Sequence, residues 1–231
     1  QAVKGGGHGD YKMLVYGPSS VQEAVDLTYE AFAKANKYRI PVMILGDGML
    51  GQIMEAVELP PMKDITKFED KEWATTGKGK GETRKIINSL YIKPDELEAR
   101  THMLFKKYEE MSKAELAYEN YKTEDAEIII VAYGTVARIS KSAVDMLREE
   151  GFKVGLHRPI TLFPFPSDEI ARLANKSDTK SFIAIELSMG QMVEDVRLSV
   201  NGAKPVSFFG RCGGNVMSPE DIVEKIKSEV K

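Results

Sequence analysis

Short, nearly continuous apolar runs separated by amphipathic stretches fill the two ends of the chain, with a polar, irregular stretch between them. Met13 to Tyr16 is an apolar run stopped by Gly17-Pro18. Ser20 and Glu23 then form an S-x-x-E capping box that predicts a helix to about Asn36. Ala24, Val25, Thr28, Ala31, Phe32 and Ala35 recur at helical spacing and give it one buried stripe. Val42 to Leu45 follows as an apolar run too continuous for a one-sided sheet. It predicts a strand buried on both faces, as in a parallel sheet covered by helices.

From about residue 125 the alternation is regular. Ile128 to Ala132 reads as a buried strand, and Gly134-Thr135 opens a helix that ends at Gly151, with Thr135 as its cap. Val154 to Leu156 is the next strand, followed by a proline-rich turn from Arg158 to Pro166 and a short helix capped by Ser167. Phe182 to Ile185, a helix near Met192 to Val200, and Val206 to Phe209 follow in order. Ser218-Pro219-Glu220-Asp221 places a cap, a first-turn proline and two acids before the last helix. Strands alternating with helices at these lengths specify α/β architecture, with open parallel sheets and flanking helices.

The middle zone differs. Residues 61 to 93 are polar and glycine-punctuated, and include Gly77-Lys78-Gly79-Lys80-Gly81. From Pro94 a charged helix of six or seven turns is predicted, with a seam of Leu97, Leu104, Met111 and Tyr118. It reads as an interdomain connector. Three zones result: 1–60, too short for a stable doubly wound domain by itself; 61–124, the linker; and 125–231. No internal repeat relates the first and last.

Composition narrows the partners. Lys and Arg number 32 against 35 Asp and Glu, a formal charge of −3. Such a balance provides no general field for nucleic acid or an anionic membrane, and neither is expected as a partner. No apolar run approaches the roughly 20 residues of a membrane span. Cys212 is the single cysteine. It excludes an internal disulfide framework and a four-cysteine iron–sulfur cluster, and suits reducing cytoplasm. The chain opens on Gln1 and reaches Gly5-Gly6-Gly7-His8-Gly9-Asp10 at once. That beginning reads as a fragment entering in mid-domain.

Candidate chemistry lies in loops. Gly46-Asp47-Gly48 follows a strand and resembles a diphosphate–Mg²⁺ motif, but that motif needs an Asn some 25 to 30 residues on, and the window around Glu72 to Thr76 contains none. A strand-end turn facing a site is the better reading of Asp47, and no metal site is expected. Gly5 to Asp10 is read two ways. His8 could donate a hydrogen bond to a carboxylate or carbonyl of a ligand, or Asp10 could cap a plain glycine turn. Tyr133-Gly134-Thr135 could collect an anion at a helix start, yet lacks any nucleotide fingerprint. The Gly77 to Gly81 loop reads as solvated. His102 and His157 have no ligand-spaced partners, and Cys212 lacks an activating base.

Taken together, several words resemble one family. They are Gly5 to Tyr11, Pro18 to Glu23, Pro41 to Gln52 (PVMILGDGMLGQ), Trp73 to Gly77 and Ile86 to Tyr91. Val131 to Thr135, Arg158 to Leu162 and Glu186 to Met192 complete the set. These resemble the alpha subunit of the thiamin diphosphate-dependent 2-oxoacid:ferredoxin oxidoreductases, in particular the branched-chain (2-oxoisovalerate) type. The resemblance implies that 1–60 is the C-terminal part of the thiamin pyrimidine-binding domain and that 125–231 is similar to the transketolase C-terminal domain. It implies oxidative decarboxylation of a 2-oxoacid, with the acyl group passed to coenzyme A and electrons to ferredoxin. It also implies thiamin diphosphate and Mg²⁺ in a site shared with a beta subunit, and iron–sulfur clusters only on ferredoxin-like partner subunits. Segments the family carries earlier in its alpha subunit match nothing here, so no catalytic residue is assigned. Gly7, His8, Gly9, Asp10 and Asp47 are carried over as residues at the edge of the cofactor site. A pyruvate- or 2-oxoglutarate-specific member, or a non-catalytic scaffold of the same complex, are the alternatives.

Overall fold

The computed structural model describes residues 2–5, 7, 9–64 and 71–229. In chain order the first part contains α1 (Ala2–Gly5), β1 (Leu14–Tyr16), α2 (Val21–Tyr38), β2 (Val42–Ile44) and α3 (Pro94–Glu115). Next come β3 (Tyr118–Tyr121), β4 (Ile128–Val131), α4 (Gly134–Glu149), β5 (Val154–Pro159) and β6 (Thr161–Phe163). The chain finishes with α5 (Ser167–Ala174), β7 (Ser181–Glu186), α6 (Met192–Val200), β8 (Val206–Gly210) and α7 (Pro219–Glu229). The expected α/β class is present, as two sheets.

The larger sheet has the order β3-β5-β4-β7-β8. Strands β5, β4, β7 and β8 run parallel, with β8 at one edge, and β3 closes the other edge antiparallel. The apolar run of β4 is explained by two-sided burial. Ile130 points into the core under α4 and α7, while Ile129 and Val131 point into the core under α5 and α6. All three are completely shielded from water.

The smaller sheet has the order β2-β1-β6, with β1 and β2 parallel and β6 antiparallel. Its third strand thus comes from the far half of the chain. The Arg158 to Pro166 stretch, expected as a turn, instead extends β5 through Pro159 and then supplies β6. Thr161 secures that crossing: its hydroxyl donates to the Ala117 carbonyl and accepts from the Ala117 N–H. Val42, Met43 and Ile44 are only half-buried, not covered on both faces as expected, because β2 is an edge strand.

Helix boundaries follow their caps. Ser20 accepts from the Glu23 N–H at 3.1 Å, and α2 ends at Arg39 in the left-handed region. The apolar seam of α3 is engaged only in its second half: Tyr108 and Met111 are buried, while Leu97 is exposed. Tyr118 lies beyond the helix, in β3. Ser167 is the first residue of α5 and not its cap, which is Pro166. At α7 Ser218 caps as expected, and the pairing is also reciprocal: Ser218 Oγ accepts from the Asp221 N–H and Asp221 from the Ser218 N–H.

Candidate functional site

The carboxyl ends of β2, β4 and β7 converge, and β6 and α1 close the space beneath them, leaving a cavity of about 510 Å³. Lys4, Asp47, Tyr133, Glu186, Gln191 and Asp195 supply its polar wall. Leu162, Phe165, Ile185 and Leu187 supply an apolar one.

Asp47 is the hinge of this arrangement. One carboxylate oxygen accepts from the Leu50 N–H at 2.9 Å, closing the turn after β2. The other accepts from the Thr135 N–H at 3.1 Å, in the first turn of α4. That helix has Tyr133 at its cap position and no cap from its own side chains. Thr135, expected as the cap, has its hydroxyl buried without a partner. An acid from the other sheet therefore satisfies the helix N-terminus, where a negative charge also meets the positive end of the helix dipole. Gly134 permits the approach. Its φ is +60°, and a Cβ there would sit 3.3 Å from Asp47 Oδ2.

Glu186 repeats the device at the end of β7. Its buried carboxylate accepts from the N–H groups of Gln191, Met192 and Val193 at 2.8–3.1 Å and from the Ser188 hydroxyl at 2.8 Å, holding the loop into α6. Between the two acids stands Tyr133. Burial foremost, then the charges of Glu186 and Asp47, push its phenol above the usual tyrosine range, so it stays protonated. Gly17 makes room for the ring, since a Cβ there would lie 2.9 Å from Tyr133 Cδ2. Lys4 reaches in from α1 and pairs with Asp195 at 2.6 Å.

A second link braces the same junction from behind. The buried Arg158 guanidinium of β5 donates to Glu23 at the start of α2 and, at 3.2 Å, to Glu119 of β3. Glu119 also pairs with Lys141 at 2.6 Å, and together these cations hold its carboxyl below the usual range against the opposing effect of burial.

Of the residues carried over by resemblance, Asp47 lines the cavity. Gly7, Gly9 and Asp10 do not, and Gly9 and Asp10 are exposed. His8 lies outside the described residues. Glu186 and Arg158 were missed as individual positions, although each falls within a word that carried the resemblance; Tyr133 was considered only as part of a helix-start anion site. His157 is buried and neutral. Burial depresses it to about 4, and its Nδ1 lies 2.7 Å from Asn120 Oδ1. Asn120 uses its amide N–H on Glu169, so its oxygen accepts and the proton sits on Nδ1. His102 and Cys212 are exposed.

The cavity is a poor host for a diphosphate and its Mg²⁺. Four acids (Asp47, Glu186, Glu194 and Asp195) face one lysine that is already paired. Both oxygens of Asp47 and of Glu186 are occupied by N–H and O–H donors. Among the described residues no three His, Cys, Asp or Glu side chains group as a metal site.

Comparison with known proteins is consistent across the chain. A family model described as "Pyruvate flavodoxin/ferredoxin oxidoreductase, thiamine diP-bdg" matches residues 2–129, and one described as "Pyruvate:ferredoxin oxidoreductase core domain II" matches residues 126–222. A ketoisovalerate oxidoreductase subunit VorB of Methanothermobacter marburgensis is 46% identical over 98% of the chain. A 2-oxoglutarate synthase subunit KorA of Archaeoglobus fulgidus is 30% identical over 97% of it. The chain spans 63% of the length of each of these relatives. The solved 2-oxoglutarate:ferredoxin oxidoreductase of Magnetococcus marinus shares the fold, with a TM-score of 0.75 at 20% identity, covering all of this chain and 44% of that one. No helix among the described residues is long and apolar enough to cross a membrane.

Proposed function

The chain belongs to the pyruvate flavodoxin/ferredoxin oxidoreductase family, and we propose that it is part of the alpha-type subunit of a 2-oxoisovalerate:ferredoxin oxidoreductase. The reaction assigned is CoA-acylating oxidative decarboxylation of the branched 2-oxoacid, with electrons leaving to ferredoxin. One observation carries the choice of substrate: identity of 46% to the ketoisovalerate subunit against 30% to the 2-oxoglutarate subunit, each over nearly the whole chain.

Within that enzyme, residues 1–60 are assigned to the pyrimidine-binding domain, 61–124 to the connector and 125–231 to the transketolase C-terminal-like domain. Thiamin diphosphate supplies the carbanion-stabilising chemistry when bound. The acid-rich cavity does not suit the diphosphate or Mg²⁺, so both are assigned to a site completed by a beta subunit, and the iron–sulfur clusters to ferredoxin-like partners. This chain's own residues then act as a rigid wall. Asp47 and Glu186 fix two strand-end loops, and Arg158 locks the sheets behind them. The Gly7–Asp10 loop and Asp47 are assigned to the margin of the cofactor site. The single thiol suits a cytoplasmic complex.

Ferredoxin reduction by the assembled complex tests the assignment, with 2-oxoisovalerate, 2-oxoglutarate and pyruvate compared. A kcat/KM at least about tenfold higher for 2-oxoisovalerate is expected, the scale set by placing one or two extra methyl groups in an apolar pocket. Preference for 2-oxoglutarate overturns the substrate. Calorimetry separates the shared site from a self-contained one: the lone chain is expected not to bind thiamin diphosphate with Mg²⁺, and tight binding would refute the shared site.

A further inference from the structure

The smaller sheet sits against the strand ends of the larger one, and the contacts along that row differ in kind. Beside β3 and β5 they are backbone contacts. The Ala117 carbonyl accepts from the Ile160 and Thr161 N–H groups at 3.0 and 2.9 Å and from the Thr161 hydroxyl at 3.1 Å. The Ala117 N–H donates to the same hydroxyl at 3.0 Å, and Thr161 is fully shielded from water. Two of the covalent crossings between the sheets, from α3 into β3 and from β5 into β6, are therefore stitched together at one point. Arg158, two residues before Ile160, adds its buried ion pair with Glu23 on the same side.

Beside β4 and β7 the links are charged. Asp47 accepts from the Thr135 N–H just beyond β4. Glu55, after the same turn, pairs at 2.5 Å with Arg138 in α4, whose side chain is 52% exposed. Lys4 of α1, 43% exposed, pairs with Asp195 of α6. Little packing supports these links: among the described residues, Tyr133 is the one apolar side chain that packs on a core of each sheet. The third covalent crossing, residues 164–166 between β6 and α5, is short and restrains how far this end can part.

Sheet order ranks the lever arms. β4 lies one strand from β5 and β7 two, roughly 5 and 10 Å away. Buried backbone bonds at one end resist water and salt, whereas exposed ion pairs at the other compete with both. That asymmetry is the construction of a hinge.

We propose that the smaller sheet swings on the Ala117–Thr161 stitch, and that Glu55–Arg138, Lys4–Asp195 and the Asp47 cap are latches that hold the cavity closed. Each wall stays rigid; the angle between them changes, and with it access to Tyr133. A swing of about 20° moves the β7 end by about 3 Å. The device is independent of the reaction proposed above and is read without any turnover assay.

Amide exchange followed by NMR tests it. The variant K4A/R138A removes two exposed ion pairs, and a single cooperative melting transition verifies its folding. Exchange at the Thr135 amide is expected to quicken about threefold to tenfold, with the Ile160 and Thr161 amides unchanged. Raising salt from about 0.05 to about 0.5 M should produce the same selective change in the original chain. Equal acceleration at all three amides overturns the pivot, and a Thr135 amide indifferent to both treatments overturns the latches. Spin labels at Met49 and Leu198, exposed on opposite units, separate a swing from fraying of the first turn of α4, with C212S as the background. Their separation is expected to lengthen by about 3 Å in K4A/R138A. Faster Thr135 exchange at an unchanged separation overturns the hinge.

Discussion

In the five-stranded sheet, Ile129, Ile130 and Val131 on the central strand are fully shielded, whereas Val42, Met43 and Ile44 on the outer strand of the three-stranded sheet are not. The first sheet is sandwiched between α4 and α7 on one face and α5 and α6 on the other. The second borrows β6 from between β5 and β7 and is fastened to the larger sheet by named charges, Asp47 on α4 and Arg158 on Glu23, while Glu115 of α3 accepts from Lys34 and Tyr38 of α2 at 2.5 and 2.7 Å within the smaller unit. Both regions have apolar cores, the smaller around Leu14, Val15 and Tyr16 of its central strand, but the larger is covered on both faces while directed polar contacts join the smaller to it. Cavity shape therefore depends on the polar seam, while global stability depends on the larger core.

The widest gap between the regions is expected from paired core truncations. Ile130→Ala removes a fully buried side chain between strands and helices and should destabilise by about 3–4 kcal/mol. Met43→Ala, on the half-buried edge, should lose under about 1.5 kcal/mol. Urea titrations of the two variants read both values. Equal losses would break the distinction.

The seam is probed by Arg158→Ala, which empties the buried guanidinium site and leaves Glu23 with only the Ser19 donors and Glu119 with only Lys141 among the described residues. A loss of about 3 kcal/mol is expected, with faster proteolysis near α2 than within β4 or β7. Arg158→Lys should recover only part of it, because one ammonium cannot match the guanidinium fork that reaches two carboxylates. Uniform protection of both regions in Arg158→Ala would show that the charge does not hold the sheets together.

How far these regions were legible in sequence follows from the range of the forces involved. The helix after Ser20, the strand through Ile128–Val131 and the helix Met192–Val200 were visible because their signals are local caps and apolar periods. Thr161-Leu162-Phe163 was not, being three residues between prolines whose partner strand, β1, lies some 145 residues earlier. Tyr118-Glu119-Asn120-Tyr121 was hidden by its polarity, which suits an edge strand. At the site, Gly46-Asp47-Gly48 advertised a strand-end turn, but nothing near Asp47 reveals that its second oxygen serves a helix 88 residues away. Glu186 was quoted only as a letter in a longer word, since its donors are backbone N–H groups that carry no sequence signature.

Protonation sharpens the comparison at β5, the strand of the larger sheet that leads directly into β6. His157 falls from an ordinary 6.5 to about 4 because burial disfavours the imidazolium. Between those values the unfolded chain binds a proton that the folded chain does not, so stability rises with pH across this window. It is fully present above about 6.5 and declines as pH falls towards 4. At pH 5 the loss from this group is about 2 kcal/mol, from 1.36 kcal/mol per unit. His157→Gln should flatten the slope between pH 7 and 5 in urea titrations. An unchanged slope would assign the pH dependence to other groups.

The smallest expected effect is the most informative about the cavity. Asp47→Ala removes the acid that caps α4 from outside and leaves the Thr135 N–H unsatisfied, a loss of about 1–2 kcal/mol. Asp47→Asn keeps an acceptor for one N–H but loses the charge facing the helix dipole, so it should lie between the two, within about 1 kcal/mol of the original chain. In the assembled enzyme the same pair separates support from chemistry. If Asp47 acts only by holding the β2 turn against α4, turnover in Asn should exceed turnover in Ala, and both should follow the order of amide protection at Thr135. If Asn is as inactive as Ala while its Thr135 amide stays protected, the carboxylate has a task beyond bracing the two sheets, and the wall assigned to this chain includes a reacting group.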